Sequence, residues 1–249
     1  MQVSMNKTAS LAALSLLLPS LHAVAGGDAE SVPLSVSSSI GYESQYVSRA
    51  LHTGEGIIVP AATLSRGDWY TSFWAALPVE QKEAWPKELD LSAGRNFALS
   101  EKLSLDLGLT HYSFDKVFAD ILGHDSSNEL YAGLSLDAIL SPSLYLYHDF
   151  DCLTDLAELG LSHSVELGCG FSLELGATLG ASFGENADNP DYGYWGASAD
   201  LCYTLTESCA LSLGARYAGA TRDFYAANTE DEPDKRHAIW WGASLGAEF

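Results

Sequence analysis

Carboxylates recur where an extended chain would turn them all to one side. Asp106 lies within Leu103–Leu109, Asp137 at the end of Leu130–Ala138, Glu174 within Phe171–Phe183, Asp200 within Trp195–Tyr203, and Glu248 one residue from the C-terminus. Each is within a few residues of a short polar turn, so all five gather at one end of the strands that carry them. Acids around a narrow watery passage favour cations through their summed field. Arg216 is the clearest base on the same face. It sits farther from the short turns and would set a transverse field or neutralise an acid across the passage. Asp106, Asp137, Glu174, Asp200 and Arg216 are therefore the candidate pore-lining residues. The plainer alternative is that these acids only hydrate an interior and hydrogen-bond one another.

Other chemistry is weaker. Ser162, His163 and Ser164 combine a nucleophile with a base. Adjacent strand residues point to opposite faces, so neither serine meets His163, and nucleophilic catalysis needs that contact. Asp149, Asp151 and Asp155, then Glu185, Asp188 and Asp191, then Glu230, Asp231, Glu232 and Asp234 form acid runs in loops. None completes a calcium-loop pattern; at an outer surface they would share divalent cations with lipopolysaccharide. Cys152, Cys169, Cys202 and Cys209 show no CxxC spacing, and the strand register sets Cys202 and Cys209 on opposite faces. Neither an enzyme nor a cofactor or resident metal is expected.

The elements that position these residues have period two. Phe171, Leu173, Leu175, Ala177, Leu179, Ala181 and Phe183 share one face; Ser172, Glu174, Gly176, Thr178, Gly180 and Ser182 share the other. The same alternation runs through 103–109, 130–138, 195–203, 211–217 and 239–249. Short connections near Gly67, Glu101, Pro142, Gly168 and Glu207 alternate with longer ones at 49–56, 78–87, 115–127, 149–154, 184–191 and 222–236. That divides the chain into about twelve strands of about ten residues, the length a tilted strand needs to cross a bilayer. The spans are 34–48, 57–65, 68–77, 88–98, 103–114, 129–139, 143–149, 155–166, 170–183, 192–204, 209–221 and 237–249. An even count puts both ends of the sheet on the short-turn side.

A soluble antiparallel sandwich also alternates, but its solvent face carries Lys and Glu. Here that face is mostly Gly, Ser and Thr. Aromatics collect near strand ends: Tyr112, Phe114, Phe183, Trp195, Tyr217 and Trp241 near the longer loops, and Phe97, Phe171, Tyr203 and Phe249 near the short turns, as interfacial girdles would. Arg95 falls on the apolar face and requires a bulge or snorkelling.

The chain has 249 residues, 33 acids against 12 bases, and a net charge of −21, which excludes nucleic acid as a partner. Residues 1–25 read as a signal peptide: Lys7, the apolar run Ala9–Leu18, Pro19, and the small-residue site Ala23-Val24-Ala25. Residues 26–249 then form one barrel domain, all-β, closed, antiparallel and transmembrane. Trp241, Leu245 and Phe249 lie on the apolar face of the terminal strand and resemble the insertion signal read by the barrel-assembly machinery.

Two stretches resemble the TorF family of porin-like outer-membrane barrels. One is Ile40-Gly-Tyr-Glu-Ser-Gln-Tyr-Val-Ser-Arg-Ala50, with Ser48 where the family has an aromatic residue and Ala50 where it has glycine. The other is Ser141-Pro-Ser-Leu-Tyr-Leu-Tyr-His-Asp-Phe-Asp151, followed by Glu158-Leu-Gly-Leu-Ser-His-Ser164. The resemblance implies a porin-like barrel and brings no substrate or catalytic residue.

Small residues cannot fill a barrel this wide, so the interior should hold water. The expected protein is a Gram-negative outer-membrane channel passing small hydrophilic solutes or cations by diffusion, unless a loop folds inward. A barrel closed by its loops, serving surface binding or structure, and a lipid hydrolase are the alternatives.

Overall fold

The computed structural model describes residues 32–79, 87–115, 125–184, 191–222 and 236–249. The signal-peptide reading of 1–25, and the acids Glu185, Asp188, Glu230, Asp231, Glu232 and Asp234, lie outside these residues.

Twelve antiparallel strands close into a barrel: β1 (Leu34–Ser48), β2 (Leu51–Arg66), β3 (Trp69–Pro78), β4 (Glu88–Ala98), β5 (Leu103–Phe114), β6 (Ser126–Leu136), β7 (Ser143–Asp149), β8 (Thr154–Gly168), β9 (Phe171–Gly184), β10 (Tyr192–Thr206), β11 (Cys209–Ala220) and β12 (His237–Glu248). Each strand pairs with its sequence neighbours, and β1 closes on β12. The last residue joins the closure: the Phe249 amide donates to Val36 O, and the Val36 amide to Phe249 O. Closure leaves no backbone edge facing lipid where pairing is complete, the condition for a sheet to span a membrane.

The apolar set faces out. Leu130, Leu146, Leu179, Leu213 and Ile239 are all about half exposed or more. Trp69, Phe171, Tyr203 and Phe249 are exposed at the short-turn end; Phe150, Phe183, Tyr217 and Trp241 at the other. Tyr112 and Phe114 are not part of this girdle. Tyr112 is buried and hydrogen-bonded inside the barrel, with the Phe114 ring stacked on it. Arg95 does face outward, opposite Trp69, and snorkels to the rim: its guanidinium reaches Asp68 at 3.2 Å and lies over the Trp69 and Phe97 rings.

A loop expectation fails as well. Residues 49–56 were expected to form a loop, but β2 begins at Leu51 and joins β1 through the two-residue turn Arg49–Ala50. Both turn residues have positive φ, 44° and 57°, the type I′ geometry that matches strand twist and ordinarily uses Asn-Gly. Arg and Ala carry no such signal, so the hairpin was not visible in the sequence. This hairpin also leaves the wall. Among the described residues β1 pairs with β12 only as far as Glu43, and β2 with β3 only as far as Ile57. The arm 44–56 beyond those points folds into the barrel.

Candidate functional site

The lumen has two unlike halves. At the short-turn end the inward residues are small. Ser104, Ser135, Ser143, Ser162, Ser172, Ser198, Ser212 and Ser244 project inward with Gly160 and Gly176 among them, and most are only partly buried. Asp200 faces inward on β10, and Arg216 on β11 reaches its carboxylate at 2.8 Å. The same guanidinium lies 3.4 Å from Glu43 of β1, so one base sits between two acids. Glu174, directly opposite Asp200 on β9, accepts a hydrogen bond from Ser164.

Asp106 lies at the boundary between the halves. It accepts hydrogen bonds from the Tyr70 hydroxyl at 2.9 Å and the Tyr145 hydroxyl at 3.2 Å, and Tyr70 also bonds Tyr131. Asp137 belongs to neither half. It falls one residue past β6, exposed in the turn to β7, and not on an inward strand face. Of the five candidate residues, the structure brings Asp200 and Arg216 together with Glu174 opposite. It sets Asp106 apart within a tyrosine cluster and leaves Asp137 outside.

At the long-loop end the lumen is filled. The arm brings Val47, Ala50 and Leu51 against Tyr147, Leu156, Tyr192, Tyr194, Ala218 and Ala238, on strands from β7 to β12. Arg49 makes a two-pronged pair with Glu129 of β6, at 2.9 and 3.0 Å, with both side chains almost fully buried. Its guanidinium lies over the Tyr147 ring, Tyr112 donates to Glu129, and Tyr192 donates to the Arg49 carbonyl. A planar fork matched to a carboxylate is the geometry arginine is suited to. On the arm's other side Tyr46 donates to Glu88 at 2.6 Å and packs on Trp74, Ile57, Val59 and Ala76. Arg49, Glu129, Glu88, Asp90 and the tyrosines, which define this half, were not read as lumen residues from the sequence.

The glycines explain why. Tyr70 faces Gly94, Tyr131 faces Gly108, Tyr145 faces Gly133 and Tyr194 faces Gly180, each as direct cross-strand partners. A Cβ on any of these glycines would overlap atoms of the tyrosine side chain it faces. The rings lie flat along the wall in space the glycines vacate. Glu43 opposite Gly242 and Asp200 opposite Gly214 follow the same rule.

The loop acids are used singly. Asp149 is fully buried and accepts from Ser127 and from the amides of Asp151 and Cys152; Asp151 accepts from Asn128; Asp155 faces His148 at 2.8 Å. No group of three metal-ligating side chains occurs among the described residues. Ser162 lies between inward neighbours while His163 faces out, as alternation requires. Cys169, Cys202 and Cys209 are free thiols. Trp241, Leu245 and Phe249 all face outward and are exposed.

No family model matches the sequence, and no curated protein matches it. Solved structures do. The KdgM porin is 9% identical, with 86% of this chain and 99% of that chain covered, at a TM-score of 0.56. The KdgM porin in complex with disordered oligogalacturonate is 8% identical over the same shares, at 0.55. The NanC porin is 12% identical, covering 87% of this chain and 99% of that one, at 0.49. With the twelve-strand closure, the likeness to KdgM establishes the fold: this chain has the closed antiparallel barrel of outer-membrane porins.

Proposed function

We propose that this chain is an outer-membrane channel for small hydrophilic solutes, selective for cations. One observation carries the reading: the short-turn half of the lumen is lined by serines and glycines and carries acids in excess of bases. Glu43, Glu174 and Asp200 face the interior there, with Asp106 at its boundary, and Arg216 alone answers them among the described lumen residues of that half. An interior of small polar residues in a barrel of this width holds water rather than a packed core. The acid excess sets the sign of its field.

One of the KdgM porin structures is in complex with disordered oligogalacturonate, an acidic sugar chain. The lumen here has the opposite charge preference, so we infer a neutral or cationic solute. The outer-membrane setting, export through a signal peptide, contact with lipopolysaccharide at the loop end, and assembly through Trp241, Leu245 and Phe249 belong to the same proposal. The TorF resemblance agrees with it.

Current across a planar bilayer under a KCl gradient tests the reading. The refolded mature chain should conduct with a cation-favouring reversal potential. Asp106→Asn, Glu174→Gln and Asp200→Asn together should move that potential toward zero. Absence of current from a demonstrably folded barrel overturns the channel and favours the second reading, a barrel closed for binding or structure. The observation behind that second reading is the arm that fills the long-loop half.

A further inference from the structure

Among the described residues, the arm 44–56 shares a strand ladder with the wall only at its base. Past Glu43 on one side and Gly56 on the other, it has no ladder with β12 or β3 among the described residues. The wall beside it keeps the matching vacancy. β12 continues from Gly242 back to His237, paired with β11 throughout, while among the described residues the backbone of its β1-facing edge meets only the Ser44 hydroxyl, which accepts from the Trp241 amide. A strand edge left unpaired in a closed barrel is a seat for another strand.

The arm also carries its own joint. The register slips between Tyr46 and Val47, leaving Thr53 as the extra residue, with Thr53 Oγ1 bonded to the Tyr46 carbonyl. Gly56, with φ +51°, stands where β2 leaves the wall. The wall behind the arm is mixed: apolar and tyrosine side chains meet Val47, Ala50 and Leu51, and polar side chains lie buried beside them. Thr110, Ser127, Glu129, Thr154 and Ser182 are all buried in this half, and Ser182 Oγ has no protein partner. Thr110, Ser127, Glu129 and Thr154 keep hydrogen-bond partners, whereas a hydroxyl sealed from water without one, as Ser182 Oγ is among the described residues, is costly in this seat.

We propose that the arm is a movable plug with two seats. In the lumen seat, seen here, Arg49 latches onto Glu129 across the barrel. In the wall seat the arm swings out and extends the β1–β12 ladder in its existing register. Glu43 pairs with Gly242 now; two residues per step onward, Gln45 meets Trp240 and Val47 meets Ala238, and Ser48 meets His237 next to them. The lumen is closed in the first seat and continuous in the second. The proposal rests on the channel reading, whose gate it describes. The latch is suited to the task because the Arg49–Glu129 pair is two-pronged, buried on both sides, and joins the arm to a strand across the barrel.

Single-channel records of wild type, Arg49→Ala and Glu129→Gln test the latch. Both variants should raise the ratio of open to closed time at least tenfold. A second variant tests the wall seat without touching the latch: Ser48→Cys with His237→Cys, in a background where the four native cysteines are serine. Oxidation should form the cross-link and hold the current at its open level until reductant is added. If the latch variants gate as wild type does and no cross-link forms, the channel stands and the movable plug falls. If folded wild type, latch variants and cross-linked protein all fail to conduct, the channel reading itself fails and the gate with it.

Discussion

The two halves of this barrel are built from the same strands and the same alternation, yet one is packed and the other open. In the long-loop half Glu129, Asp149 and His52 are buried as completely as any apolar residue of a soluble core. In the short-turn half the inward residues remain partly exposed, and Arg216 keeps contact with two acids at once. The difference comes from one segment. Where β1 and β2 stay in the wall, small residues leave space; where they leave it, the arm and the tyrosines take that space. Wall chemistry alone therefore does not decide whether a barrel of this width is hollow.

The largest effect expected on this contrast comes from Glu129→Ala. It leaves the Arg49 guanidinium buried without its counter-charge, a loss on the order of 3–5 kcal/mol for a buried pair. The arm should give way before the barrel does. Trypsin should then cut after Arg49 in the folded variant, seen by fragment mass, while wild type resists at that bond. Resistance in the variant would show that the arm is held by packing and not by charge.

A smaller effect should follow from Gly108→Val. The added side chain meets the Tyr131 ring and the Ala93 carbonyl. Overpacking of this kind costs about 1–3 kcal/mol, to be read from the midpoint of unfolding in urea. Tyr131 also bonds Tyr70, which holds Asp106. Its displacement should therefore alter cation preference as well as stability.

Much of the architecture was legible. Eleven of the twelve strands begin and end within a few residues of where period two places them, because lipid outside and water or packed side chains inside demand opposite residue types at successive positions. The outward place of Arg95 was legible too; its rescue by Asp68 was not, since that depends on which turn residue lies beside it in space. The filled half was illegible for two physical reasons. Arg49–Ala50 adopts a turn that its residue types do not advertise, so the hairpin read as a loop. The inward glycines at 94, 108, 133 and 180 read as empty space, whereas each faces a tyrosine that occupies it. The signal was present in the pairing of Tyr with Gly across strands, not in either strand alone. Asp106 reads as a free pore-facing acid in its own strand for the same reason, since the hydroxyls that engage it come from β3 and β7.

The mildest test makes the same substitution in both halves. Ser127 is fully buried and donates to Asp149 at 2.6 Å, while Ser212 shares a 2.7 Å hydrogen bond with Ser244 across a half-open face. Ser127→Ala removes a donor from a buried carboxylate that water cannot reach, and a hydrogen bond to a charged group is worth about 1.5–3 kcal/mol. Asp149 would keep its bonds to the Asp151 and Cys152 amides, which places the expected loss toward the lower figure. Ser212→Ala leaves the Ser244 hydroxyl free to bond water, so the expected change is within about 0.5 kcal/mol. Unfolding midpoints of the two variants measure the difference directly. Equal losses would mean that both halves are dry, and the contrast between a packed and a hydrated lumen would not hold.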